Sequence, residues 1–215
     1  MNSSFAKLSI GRPRAVVAAM ALCALAALAG CAHEATTPVQ NAPGATNGAT
    51  ATSTGVAPSD TPPEMAPTPY TAAQIRDSNR PGTVYRFKLE AAGQPAQIKV
   101  LEFTSGTNVD RAEVKSVTLD ETGKAKAAPE VEHTRWDDLR KHAEFPRAAL
   151  KVEPGSIEVP AGKFEAMVYT VTAPNGETAK FYFAKSYAGP PVLMVKERGG
   201  ARVMTMTLME RKAAP

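Results

Sequence analysis

The chain contains very little cysteine. Only Cys23 and Cys31 occur among its 215 residues, so residues 32–215 contain no thiol. That segment cannot form a disulfide, a thiolate metal site, a redox-active cysteine pair or a cysteine nucleophile. A domain without disulfides is still compatible with an oxidising compartment, provided that its hydrophobic core is large enough.

A large excess of charge is also missing. Residues 1–30 hold three of the 25 basic residues and none of the 21 acidic residues, so the rest of the chain is close to neutral. Nucleic-acid binding would require basic residues clustered on one face. We therefore expect no nucleic-acid partner.

The first thirty residues have the layout of an export signal. A basic segment without acids is followed by an apolar core at positions 15–28, and the small residues Ala29 and Gly30 then precede Cys31. The core is too short to cross a bilayer, which needs roughly 20 apolar residues. We predict that residues 1–30 are a cleaved signal peptide.

The sequence Leu28-Ala29-Gly30-Cys31 resembles the lipobox of the bacterial lipoprotein family. The resemblance implies that the Cys31 thiol receives a diacylglyceryl group, that cleavage precedes Cys31, and that the new amino group is acylated. Two or three acyl chains anchor a protein stably where one is marginal. Ala32, in place of Asp, implies outer-membrane sorting by the lipoprotein export machinery. A chance match in an Ala-rich leader is the alternative.

Residues 31–69 have the composition of a tether. Positions 32–69 contain no Lys, Arg, Trp, Phe or Tyr and are rich in Ala, Thr and Pro. Such a segment cannot bury enough apolar surface to offset its chain entropy. We expect it to be disordered and to hold a folded domain, residues 70–211, away from the membrane.

Most of that domain has the pattern of β-strands. Within 83–90, Tyr85, Phe87 and Leu89 alternate with charged residues, as in a strand with one buried face. Turn signals such as Asn175-Gly176 separate the strands. We predict a mainly β fold, a single curved antiparallel sheet that forms a half-barrel-like meander. Its strands are expected at 83–90, 97–104, 111–119, 156–159, 164–172, 180–187, 192–198 and 202–210.

One or two short helices accompany the sheet. Thr71 is expected to cap a helix over 72–77. Residues 134–142 predict a second helix, capped by Thr134, because acids come early and bases late as the helix dipole favours. Its apolar face would carry Trp136.

The segment Val159-Pro160-Ala161-Gly162-Lys163-Phe164 resembles the VPAGxF segment of uncharacterised exported bacterial β-proteins. Residues 181–185, 189–192 and the last hairpin fit the same pattern. These proteins are similar to the lipoprotein-carrier superfamily, a half-open barrel made of one curved antiparallel sheet with a helix in its mouth. The resemblance covers roughly residues 150–210 and implies a fold rather than an activity.

Catalysis has little support in the sequence. His133 and His142 are the only histidines of the domain, and either would need Asp137 or Asp138 as a partner for acid–base work. No serine lies in a nucleophile elbow, and no carboxylate–histidine cluster has metal-ligand spacing. We expect no catalytic residue, no metal and no cofactor, with hydrolase activity as a remaining alternative.

Methionine is concentrated near the C-terminus, where Met167, Met194, Met204, Met206 and Met209 occur. Flexible thioethers suit an ordinary core, an adaptable apolar ligand site, or a soft metal ion bound by two sulfurs on one strand face. A candidate apolar pocket would be lined by Tyr85, Phe87, Met167, Phe181, Phe183, Met194, Met204 and Met206.

Two functional hypotheses follow. The first is a non-enzymatic, membrane-anchored lipoprotein that binds an acyl chain, a lipoprotein lipid or another apolar ligand in the curved sheet. The alternative is a structural or interaction lipoprotein with a filled core and a working outer surface. A tunnel among the candidate pocket residues would favour the first hypothesis, and a solid core would favour the second.

Overall fold

The computed structural model describes residues 63–215. The predicted signal peptide, the lipidation site Cys31 and most of the predicted tether lie outside the described residues. The described part holds nine strands in one open antiparallel sheet, which does not close into a barrel, and two short helices. The predicted fold class is therefore confirmed.

The nine strands include all eight that the sequence predicts. The third predicted strand matches β3 at both ends, whereas predicted strand 156–159 is the last part of a longer strand, β5. Strand β4 has no predicted counterpart. The strands are β1 (Val84–Ala91), β2 (Gln97–Phe103), β3 (Arg111–Leu119), β4 (Glu130–Arg135), β5 (Leu150–Val159), β6 (Gly162–Thr172), β7 (Thr178–Ala184), β8 (Leu193–Arg198) and β9 (Ala201–Lys212).

The strand order is β4-β3-β2-β1-β9-β8-β7-β6-β5, and neighbouring strands are antiparallel. Strands β4 and β5 follow each other in the chain but lie at opposite edges of the sheet. The connection between them, residues 136–149, must therefore cross the sheet. We call this connection the crossover. It contains α2 (Trp136–Lys141) and a 3₁₀ turn (Arg147–Ala149).

The two helices begin differently. Helix α1 (Ala72–Ser78) starts with a capping box, because Gln74 N donates to Thr71 Oγ1 and Thr71 N donates to Gln74 Oε1. The predicted Thr71 cap is thus confirmed. The predicted Thr134 cap is wrong. Thr134 pairs with Ala112 in the sheet, and α2 begins only after Arg135, without a side-chain cap.

Residues 64–70, which we call the strap, lie against the domain. Ala66 N donates to Phe145 O at 2.9 Å, and Arg147 N donates to Glu64 O at 2.8 Å. These bonds join the strap to the crossover in the manner of a short antiparallel bridge. The expected tether would therefore end at the strap, several residues earlier than its composition suggests.

Candidate functional site

All eight residues of the candidate pocket lie on one face of the sheet, which we call the inner face. Residues directly opposite each other in an antiparallel pair point to the same side. Met206 is opposite Met194, Met194 is opposite Phe181, and Phe183 is opposite Met167. Alternation along β1 and β9 places the remaining three on the same face: Tyr85, Phe87 and Met204.

The crossover fills part of this inner face with aromatic rings. Phe145 stacks on Phe181 with 5.2 Å between ring centres. Trp136 stacks on Phe103 with 6.1 Å between ring centres, and its indole N–H donates to Asn108 O at 2.9 Å. Both rings are almost fully buried. The crossover thus places a side chain over each half of the sheet.

The strap covers a neighbouring part of the inner face. Tyr70 packs edge-on against Phe183, 5.9 Å between ring centres, and its hydroxyl donates to Ala184 O. Tyr169 in turn donates from its hydroxyl to Pro67 O at 3.2 Å. Burial raises the pKa of Tyr70 far above its usual range, so this phenol stays protonated and donates its hydrogen bond.

The candidate pocket is therefore occupied by protein at its aromatic end. Tyr85 is fully buried, and Phe87, Phe181 and Phe183 are at most 2% exposed. Met194 and Met206 are also buried, whereas Met167 and Met204 are partly exposed. Where the crossover and strap cover the sheet, the structure has the filled core of the second hypothesis rather than a tunnel.

A polar cluster beneath α1 is built around Asn79, which is fully buried. Its Oδ1 accepts a 2.7 Å hydrogen bond from the Tyr85 hydroxyl. Its Nδ2 donates to Ile75 O at 2.6 Å and to Ala188 O at 2.9 Å. The three hydrogen bonds of this one side chain thus connect α1, strand β1 and the loop after β7.

Arg211 extends this cluster to the last strand. Its guanidinium lies 4.3 Å from the centre of the Tyr187 ring and 5.6 Å from that of Tyr85. Its Nη2 also donates to Ser78 O at 3.0 Å. Burial raises the pKa of Tyr187, and it raises the pKa of Tyr85 although Arg211 opposes that shift. Both phenols stay protonated, so this cluster holds elements together and supplies no base.

The histidine–aspartate pairing considered for catalysis does not form around His133. Its Nδ1 lies 3.5 Å from Glu113 Oε2, on the face of the sheet opposite the pocket residues. Asp137 instead accepts from Arg140 Nε at 2.8 Å and lies 3.2 Å from Lys141 Nζ. The hydrogen bond from Arg140, followed by that from Lys141, lowers the pKa of Asp137. Asp137 is thus part of the charged surface of α2.

The other titratable candidates also have local roles. His142 is the C-cap residue of α2, and Asp138 pairs with Lys141 at 3.2 Å. Within residues 63–215, no three His, Cys, Asp or Glu side chains come together as a metal site. No helix in that range is long and apolar enough to cross a bilayer.

An open surface groove of about 510 Å³ lies where the strap meets α1 and α2. Two of its lining residues are arginines that are already paired with acids. Arg140 lies 3.5 Å from Glu144 Oε1, and Arg147 lies 2.9 Å from Glu64 Oε1. The charges of the groove are therefore largely balanced within the domain itself.

The sequence pattern did not reveal the two residues that occupy the inner face most directly. Phe145 precedes Pro146, and in the sequence this pair indicates no more than the end of a helix. Tyr70 was expected to mark the start of order after a proline-rich segment. Each ring meets a strand more than 30 positions away, and a contact of that kind leaves no local periodicity. The one available signal was an aromatic residue in a segment outside the predicted strands and helices.

No protein-family model matches the chain, and no curated protein matches it. Solved structures with a similar backbone include the MucA/MucB complex of Pseudomonas aeruginosa, at 11% identity and a TM-score of 0.43 over 66% of this chain and 56% of that chain. A crystal structure of MucB is similar at 10% identity and a TM-score of 0.45, over 66% of this chain and 57% of that chain. The chain thus covers little more than half of the length of these proteins.

Proposed function

We propose that this chain is a non-enzymatic bacterial lipoprotein whose β-domain acts through its outer surface, as an interaction or structural module of the cell envelope. The observation that carries this proposal is the occupied inner face. Phe145 and Tyr70 lie on Phe181 and Phe183, the residues that an internal apolar ligand would contact. What the folded domain offers a partner is then its exterior.

The anchor in this proposal is the lipidated Cys31. Its support is the sequence Leu28-Ala29-Gly30-Cys31, which follows a short apolar core. Acyl chains on Cys31 would hold the protein at the membrane, and the proline-rich stretch would let the domain reach partners at a distance. Ala32 supports the periplasmic face of the outer membrane as its location.

Acyl-chain binding on the inner face is the competing function. A chain lying along Phe181 and Phe183 would have to displace Phe145 and Tyr70, together with the strap hydrogen bonds that hold them. The partly exposed Met167 and Met204 are the pocket residues that a ligand would reach without that displacement. The filled aromatic end therefore favours the interaction module.

Two measurements test the proposal. Replacing Cys31 by serine should abolish labelling by radioactive palmitate and release the protein from the membrane fraction. Continued labelling and sedimentation of this variant would contradict the anchor. A titration of residues 32–215 with a fluorescent fatty acid should show no saturable binding, and saturable binding that unlabelled phospholipid competes away would contradict the interaction module.

A further inference from the structure

The two edges of the sheet differ in their ability to accept another strand. Strand β5 contains Pro154, which has no backbone N–H, followed by Gly155, and such interruptions protect an edge from pairing. Strand β4 contains neither proline nor glycine, and five of its six residues are exposed. On its paired side β4 bonds to β3, and its other side is an edge of the sheet. Strand β4 is therefore the edge with an uninterrupted row of backbone donors and acceptors.

The side chains of β4 divide sharply between the two faces. Glu132 is opposite Val114 and Glu130 is opposite Ser116, which places both acids on the inner face. Both glutamates are exposed, and neither takes part in an ion pair within the described range 63–215. This edge therefore presents two exposed carboxylates at alternate positions, and the nearest lysine on that face, Lys99, donates to Ser116 instead.

On the opposite face of the same edge, Val131 is 55% exposed and lies directly opposite Lys115 of β3. An aliphatic strip continues inward from it through two directly opposed pairs of partly buried side chains. These pairs are Val100 with Val117 and Ile98 with Leu119. Burial of an exposed valine against a partner side chain removes apolar area from water and is therefore favourable.

We propose that β4 is a docking edge that accepts an extended segment of a partner protein as a tenth strand of the sheet. The segment has basic side chains at alternate positions, facing Glu130 and Glu132, and apolar side chains on the other face, beside Val131. Main-chain hydrogen bonds supply affinity in strand addition, and alternate side chains supply specificity. The proposal deepens the proposed function, because it names the surface on which the interaction module works.

A second copy of this chain fits the edge poorly. Antiparallel pairing of β4 with itself keeps each side chain on its own face. The inner-face positions of β4 hold Glu130, Glu132 and Thr134, so a second copy brings no cation to the two glutamates. Opposed like charges destabilise a pair of strands. A foreign basic segment satisfies both carboxylates.

The test uses residues 32–215, which include every described residue, and a fluorescent peptide of about eight residues that alternates lysine with valine. The peptide should bind saturably and slow hydrogen exchange at the amides of 130–135. The double variant Glu130→Lys/Glu132→Lys should weaken binding by about tenfold or more. The same double variant should bind more tightly than the parent chain to a matched peptide that has glutamate in place of lysine.

Two controls separate strand addition from simple charge attraction. The variant Glu153→Lys/Glu158→Lys makes the same charge change on the β5 edge and should leave peptide affinity within about twofold of the parent chain. A peptide that is N-methylated at every residue keeps its charge but loses the main-chain donors of both its edges, and it should not bind. Equal binding of the methylated peptide would overturn strand addition.

The remaining outcomes distinguish failure of the docking edge from failure of the proposed function. Peptide binding that maps outside 130–135, no binding at all, or dimerisation through β4 would overturn the docking edge and leave the interaction module standing. Saturable uptake of phospholipid or fatty acid by the same preparation would overturn the proposed function, whatever the peptide does.

Discussion

The ring of Phe145 lies stacked on the ring of Phe181, 5.2 Å from centre to centre. This contact follows from the strand order, because β4 and β5 occupy opposite edges and their connection must pass over the inner face. The strap then bonds to the backbone of Phe145 from the outside. Part of the inner face, which the sequence indicates as a candidate ligand site, is therefore covered by packed side chains of the domain.

Replacing Phe145 by alanine should lower the free energy of unfolding by about 3–5 kcal/mol, because the substitution removes a buried ring and leaves a cavity over Phe181. Thermal denaturation measures the change, and the single tryptophan, Trp136, reports it by fluorescence. Val109→Ala is the control, since Val109 is 72% exposed and its loss should cost less than about 0.5 kcal/mol. Equal stability of both variants would contradict the packing role of Phe145.

Removing residues 64–69 of the strap should destabilise the domain. A chain that begins at residue 70 lacks the hydrogen bonds that Glu64, Ala66 and Pro67 make with the crossover and β6. We expect it to be less stable than a chain beginning at residue 63 by about 1–3 kcal/mol, at roughly 1 kcal/mol for each net hydrogen bond. Urea denaturation of the two chains gives the difference. Identical midpoints would show that these residues lie on the domain without stabilising it.

Asn79→Ala should be among the most damaging single substitutions. It leaves Ala188 O and the O–H donor of Tyr85 without their partner, although Arg211 Nε still donates to the Tyr85 oxygen at 3.3 Å. We expect a loss of about 2–4 kcal/mol. Tyr85→Phe removes two bonds of the same cluster, the one donated to Asn79 and the one accepted from Arg211, against three lost with Asn79. It should cost less, about 1–2 kcal/mol. If the two variants prove equally stable in urea denaturation, Asn79 does not organise the cluster.

Glu177 should make stability depend on pH in the acidic range. Hydrogen bonds from Lys196 and then Arg198 lower its pKa in the folded state. A folded-state pKa below the unfolded value gives stabilisation that is present above the unfolded pKa and is lost as pH falls through the folded pKa. Glu177→Gln should therefore lower the melting temperature at neutral pH by a few degrees.

That difference between Glu177→Gln and the parent chain should shrink as pH falls through the lowered pKa of Glu177, because the parent carboxylate becomes neutral as well. Glu121→Gln, in an exposed turn, should leave the melting temperature unchanged throughout. A constant gap between the Glu177 variant and the parent at every pH would indicate that shape, rather than charge, accounts for the effect.

Regular alternation made most of the sheet predictable. In β1, Tyr85, Phe87 and Leu89 point to the inner face. The alternation of apolar and charged residues therefore predicted both the strand and its buried face. The Asn175-Gly176 turn was equally informative, because Gly176 has a φ of +79°, a value that suits glycine at a tight hairpin. These features depend on neighbours in sequence, which a single chain reveals.

Strand β4 and the filling of the inner face were not predictable in the same way. Both faces of β4 are exposed, so Glu130, Val131 and Glu132 show no buried alternation. The acids and bases from Asp137 onward matched a helix, and that pattern was extended too far back, to Thr134. The position of Phe145 over Phe181 depends on strand order, which local patterns do not determine.

The most direct test of the central claim, that the aromatic end of the inner face is filled by the domain itself, is native mass spectrometry of residues 32–215 purified without detergent. We expect the bare polypeptide mass, unchanged after incubation with phospholipid or fatty acid. A bound lipid mass that disappears on denaturation, and that increases in Phe145→Ala, would contradict the filled core and make this domain a lipid-binding protein.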